Sequence, residues 1–120
     1  MTGNAAAEAL KARIATLAPD WPLHFGQWQD AGPQSRAIVI RPMGGSGGDL
    51  VRRPILSLTL IGSTADSSAT VSAVAEAVRI DLDRSAPGAL HWSSVSEPTA
   101  LASSDGRPVF ELGVNCILDY

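Results

Sequence analysis

The chain has 120 residues, of which 45% are hydrophobic, 18% charged and 5% aromatic, with nine basic against twelve acidic side chains and a formal net charge of −3. That length suits one domain over residues 1–120, and the acidic balance excludes the dense basic footprint that sequence-independent grip on nucleic acid needs. A single Cys116 excludes an internal disulfide, no stretch approaches the roughly 20 apolar residues of a membrane-spanning helix, and Met1-Thr2-Gly3-Asn4 lacks the basic and apolar segments of a signal peptide, so a soluble cytosolic product is expected.

Residues 4–18 place Ala6, Leu10, Ile14 and Leu17 at helical spacing, with Glu8, Lys11 and Arg13 elsewhere on the cylinder, and Pro19 forbids continuation. From Trp21 to Gln29 the alternation of Leu23 and Phe25 with His24 and Gly26 predicts a brief strand, followed by the turn Asp30-Ala31-Gly32-Pro33. Arg36–Arg41 is rich in β-formers and ends at Pro42. Gly44-Gly45-Ser46-Gly47-Gly48 then offers no core side chain, so the chain is expected to leave the sheet there as a flexible loop.

Pro54 reopens a strand in which Leu56, Leu58 and Leu60 share one face and Ile55, Ser57, Thr59 and Ile61 the other. Asp66, Ser67 and Ser68 are cap candidates for a helix whose stripe is Val71, Val74, Ala75, Val78 and Leu82, stopped by Pro87-Gly88. Leu90–Leu101 reads as a Ser-rich strand in which the phase change from Trp92 to Val95 implies a bulge or bend. After the turn Ser103-Ser104-Asp105-Gly106 comes the clearest strand. Phe110, Leu112, Val114, Cys116 and Leu118 face the core, and Val109, Glu111, Gly113, Asn115 and Ile117 face away.

The order is α-β-β-β-α-β-β. Short links between sequential strands favour a mostly antiparallel sheet with both helices on one face, an α+β sandwich of two layers.

Little in this pattern carries chemistry. The glycine run leads into a strand instead of opening a helix, and it lacks both the Gly-Lys-Ser/Thr of a phosphate loop and the Gly-x-Gly-x-x-Gly of a dinucleotide fingerprint. His24 and His91 have no Cys, His, Asp or Glu at zinc-like spacing, no Gly-x-Ser-x-Gly elbow is present, and Cys116 lies on the core face. No enzyme activity, metal or cofactor is expected.

What remains is surface. Arg41, Arg52 and Arg53 flank the loop that holds Gly44, Gly45, Gly47, Gly48 and Asp49, which makes it a candidate contact loop for a partner or a neighbouring copy. Ser104, Asp105 and Arg107 form a second candidate contact turn. Trp21 and Trp28 divide between core lid and contact surface, while Trp92 is expected in the core. Ile55, Ile61, Val109 and Ile117 lie opposite the helix-covered face, and with Trp28 they are the candidate subunit interface. Either self-association or a third layer within one chain would cover them.

The order of elements, the segment Arg53–Gly62 followed by the Ala/Val helix from Ser67 to Arg84, and the closing Gly106–Tyr120 together resemble the tail terminator, or tail completion, family of long-tailed bacteriophages. The resemblance implies a structural virion protein at the head–tail junction, assembled in the host cytoplasm. It implies a homohexameric ring that caps the tail tube, stops its polymerisation and offers its other surface to a head connector protein. DNA would pass through the lumen without specific binding, as an acidic wall favours. In that frame the 43–53 loop is the expected tube contact and the 103–107 turn the second. The rival readings are a head–tail connector or neck protein, which would bind the portal side, and a small cytosolic ligand-binding module with an enclosed pocket.

Overall fold

The computed structural model describes residues 3–26, 35–47, 51–83, 92–101 and 106–119. Trp28, Gly48, Asp49, His91, Ser104 and Asp105 lie outside the described residues, as do the side chains of Arg52, Arg53, Trp92 and Ile117.

The first helix, α1, spans Gly3–Leu17 and buries Leu10 and Ile14 completely. Pro19 ends it as expected. The Ala18 amide still bonds the Ile14 carbonyl (2.8 Å) and the Trp21 amide bonds Ala18 (3.1 Å), a turn that tucks Trp21 into the core at 5% exposure. Strand β1 (Leu23–Phe25) pairs in parallel with β2 (Ala37–Gly47), which runs antiparallel to β3 (Val51–Ile61). Helix α2 (Ser68–Leu82) follows, capped by Ser67, whose Oγ accepts from the Thr70 amide at 3.1 Å. Of the three cap candidates Ser67 is the one used, because Asp66 is turned to another task described below.

Strand β6 (Val109–Asp119) pairs with β3 on one side and with β4 (Trp92–Val95) and β5 (Thr99–Leu101) on the other. Between the pairs Val95↔Val114 and Thr99↔Glu111, three residues of the edge oppose two of β6. This is a one-residue bulge, so β4 and β5 are one interrupted edge strand, but the irregularity falls at residues 96–98, after the Trp92-to-Val95 stretch where it was expected and where the register runs without a shift. The strand order is thus β1-β2-β3-β6-β4/β5, mixed but mostly antiparallel. Along the chain, with β4 and β5 taken as one strand, the elements follow the expected order α-β-β-β-α-β-β.

One apolar cluster joins both helices to one face of the sheet, with Ile38, Ile40, Leu56, Leu58, Leu60, Leu112, Val114 and Cys116 beneath Leu10, Ile14, Val71, Ala75, Val78 and Leu82. Two layers result, as the helical stripes and strand alternation imply. Arg13 of α1 and Asp81 of α2 bridge the helices with two bonds of 2.6 Å. The Asp83 carboxylate, at the end of α2, accepts the Val95 amide at 2.9 Å and so ties the helix end to the bulged edge.

The glycine segment departs from expectation. Instead of leaving the sheet at Pro42, β2 continues to Gly47, with Gly45↔Pro54, Ser46↔Arg53 and Gly47↔Arg52 extending the hairpin after a register shift between Pro42 and Gly45. Met43 and Gly44 there oppose Ile55 alone, a second one-residue bulge. Glycine contributes no side chain but keeps both backbone hydrogen-bonding groups, so a long partner strand can hold it in the ladder. The 11-residue strands account for a long axis of 46 Å against 25 and 22 Å across.

Candidate functional site

The face of the sheet opposite the helices is covered unevenly. On the β2 side Ala37 and Val39 are buried, and so are Ile61 and Ser57 of β3, although Val39 is outside the helix-side cluster. The chain's own segments therefore close this half. Across the sheet the face opens. Val109 is half-buried, Glu111 and Asn115 are exposed, Ile55 is 39% exposed, and Leu101, opposite Val109, is 41% exposed.

This divides the expected interface residues. Ile55 and Val109 lie on the open half; Ile61 does not, because it is 8% exposed between its register neighbours Ala37 and Val109. Ile117 holds the expected position on β6, opposite Trp92. Leu101 was missed. Its place at the base of the closing hairpin, across from Val109, is the signal that could have found it.

The basic loop becomes an arm. Arg41, Gly44, Gly45, Gly47, Arg52 and Arg53 all stand on paired strands, Arg41 opposite Ser57 beside the core residues Leu56 and Leu58 and the others farther along the hairpin, where the end of β6 runs beside them through Arg52↔Leu118 and Val51↔Asp119. Arg41 is exposed at the base, its Nε donating to the Gly26 carbonyl at 3.1 Å, and Met43 is 63% exposed. Gly26 has φ of +67°, a conformation that favours glycine.

Arg107 requires a correction. Expected in an exposed contact turn, it is 4% exposed, with its guanidinium donating to the Gly62 carbonyl at 3.1 Å and the Ser35 carbonyl at 2.8 Å. It clamps the start of β6 to the end of β3 and the approach to β2. Beside it, Gly106 turns the chain at φ +78°.

A second polar knot organises the same end. Asp66 accepts hydrogen bonds from Arg36 Nε at 2.9 Å and Nη2 at 2.6 Å, from the Ser63 amide at 2.9 Å and from the Ser63 hydroxyl at 3.1 Å. The Arg36 guanidinium, followed by the Ser63 donors, holds this carboxyl well below the usual carboxylate range. Arg36 also stacks 5.1 Å from the centre of the Trp21 ring.

Among the described residues no group of three or more His, Cys, Asp or Glu could hold a metal ion. Burial pushes the Cys116 thiol up to about 11, which keeps it protonated and unreactive at neutral pH. His24 is half-buried on β1. The organised polar groups thus bond one another or the backbone, and the uncommitted features are an open half-face and an arm.

No curated protein matches the chain. A solved structure shares the fold with a TM-score of 0.59 and 14% identity, over 97% of this chain and 96% of that one. A family profile described as phage tail termination protein matches residues 5–119, nearly the whole length. The chain belongs to the phage tail termination protein family.

Proposed function

We propose that the protein assembles into a ring, a homohexamer in the simplest form, that caps the finished tail tube at the head–tail junction. Bound there it stops addition of further tube subunits and presents its opposite surface to the head connector protein. The observation that carries the reading is the half-covered sheet face, with Ile55, Val109 and Leu101 left on its open side, in a chain that matches tail termination proteins over residues 5–119. A second copy supplies the missing cover without any new fold. The net charge of −3 per chain suits a lumen through which DNA slides, since an acidic wall repels phosphates.

Two measurements test this. Light scattering on the purified protein should give a ring mass instead of the 12.5 kDa of one chain. In a phage that lacks the protein, tubes should grow past their normal length and fail to join heads, as seen by electron microscopy. A monomer at all concentrations, or joined tails of normal length without the protein, would overturn the proposal.

A further inference from the structure

The described basic side chains divide into two sets. Arg13 is paired with Asp81, Arg36 with Asp66 and Arg79 with Glu76, and Arg107 donates to backbone carbonyls. Lys11 and Arg41, both exposed, have no carboxylate partner among the described residues, and both stand at the β1 end of the strand order. Lys11 Nζ lies 5.2 Å from the centre of the Phe25 ring, and Arg41 Nε bonds the carbonyl of Gly26, the residue that follows Phe25. Phe25 is itself exposed, so this edge presents an aromatic ring with a cation on either side of it.

The open half-face near the other end of the sheet has the opposite charge. Glu111 is exposed in the row Thr59–Glu111–Thr99, whose other members are uncharged, and it has no ion pair among the described residues. Exposed Leu101 and half-buried Val109 fill the next row. The other exposed carboxylates among the described residues are placed differently: Glu8 shares α1 with Lys11, Asp20 lies in the field of Arg36, and Glu97 in that of Arg79. Edge and half-face have no residue in common.

We infer that the β1 edge of one copy docks on the open half-face of the next, with Phe25 against Leu101 and Val109 and with Lys11 and Arg41 over Glu111. This rests on the ring reading and names the surface that covers the face. Because the two patches differ and lie toward opposite ends of the strand order, the contact is head-to-tail, the type that closes a ring when the rotation permits. The charges select the partner and its orientation, while Phe25 and Leu101 lose their exposure to water. Duplex DNA would answer the two cations but leave Phe25 uncovered, whereas the half-face supplies both a carboxylate and apolar side chains.

Charge reversal tests the contact by light scattering, with circular dichroism to confirm folding. K11E/R41E and E111R should each assemble far more weakly than the wild type. Mixed in equal amounts they should co-assemble, because each reversed edge meets a reversed face and each native edge a native face. Should reversal disturb folding, F25A and L101A carry the same test: each raises the protein concentration needed for assembly by about tenfold, and the double variant costs less than the two effects added.

A reversed variant that assembles alone as the wild type does, a mixture no better than its components, or strictly additive effects of F25A and L101A would overturn this contact and leave the ring reading intact. Loss of duplex DNA retention by K11E/R41E with unchanged assembly would assign the edge to DNA and likewise overturn it. A monomeric wild type would end both readings.

Discussion

The helix-covered body and the β2–β3 arm are parts of one sheet held together by different means. In the body β2, β3 and β6 present apolar side chains to the helices, so stability comes from burial; on the arm the ladder runs on through glycines and is held by backbone pairing. The contrast teaches that strand length and core extent are separate quantities, and that the uncovered length is available for contact. Truncation at the centre of the body should break the contrast most. Leu58 is fully buried in the row Ile40–Leu58–Leu112, so Leu58→Ala should cost about 2–5 kcal/mol in chemical denaturation.

A smaller loss is expected where the body is tight for steric reasons. A Cβ on Gly62 would stand 2.6 Å from Cγ2 of Val71, a fully buried side chain in the first turn of α2, so Gly62→Ala forces the helix away from the end of β3. We expect about 1–3 kcal/mol of destabilisation, typical of overpacking. Val71→Ala in the same chain should recover part of it, and purely additive losses in the double-mutant cycle would rule out this contact as the cause.

The body was legible in the sequence because burial imposes a period. The stripe Val71, Ala75, Val78, Leu82 and the alternation Phe110 to Cys116 fall where the structure buries them, while the bulge expected between Trp92 and Val95 lies just beyond, between Val95 and Thr99. The arm was not legible, because Gly44 to Gly47 carry no pattern and their pairing is decided by the partner strand, three residues away across the tip. Arg107, expected in an exposed turn, and Asp66, expected as one of three cap candidates, take partners that no local pattern shows. A charged side chain usually reads as surface, and only the fold brings Gly62 and Ser35 to Arg107, or Arg36 and Ser63 to Asp66. The half-covered face was half legible: alternation gave the side on which Ile55, Ile61 and Val109 lie, but not that Ile61 is buried there.

The Asp66 knot gives the comparison a pH dependence. Its carboxyl is depressed in the folded state, mainly by Arg36, so its contribution is complete above the unfolded value near 4 and is lost as pH falls toward the folded value. The side chain is 7% exposed, while that of Arg36 is 33% exposed, which moderates the effect. Asp66→Asn should cost about 1–3 kcal/mol at pH 7. The gap between wild type and variant should narrow below about pH 4. A gap that stays constant from pH 7 to pH 3 would show that shape, not charge, holds the knot. Arm contacts formed within one chain should not share this dependence.

The smallest effect on the isolated chain is expected at Ile55. Lying on the open face where the body gives way to the arm, it is 39% exposed, so truncation to Ala removes little buried area and leaves no closed cavity. Its cost to the folded monomer should stay below about 1 kcal/mol, well short of Leu58→Ala three residues along the same strand. In the assembled state the order should change: if a neighbouring copy covers Ile55, the truncation weakens ring formation far more than it weakens folding. Concentration-dependent light scattering beside denaturant titration separates the two. Equal effects on folding and assembly would mean that Ile55 belongs to the body after all, and that contact begins farther out along the arm.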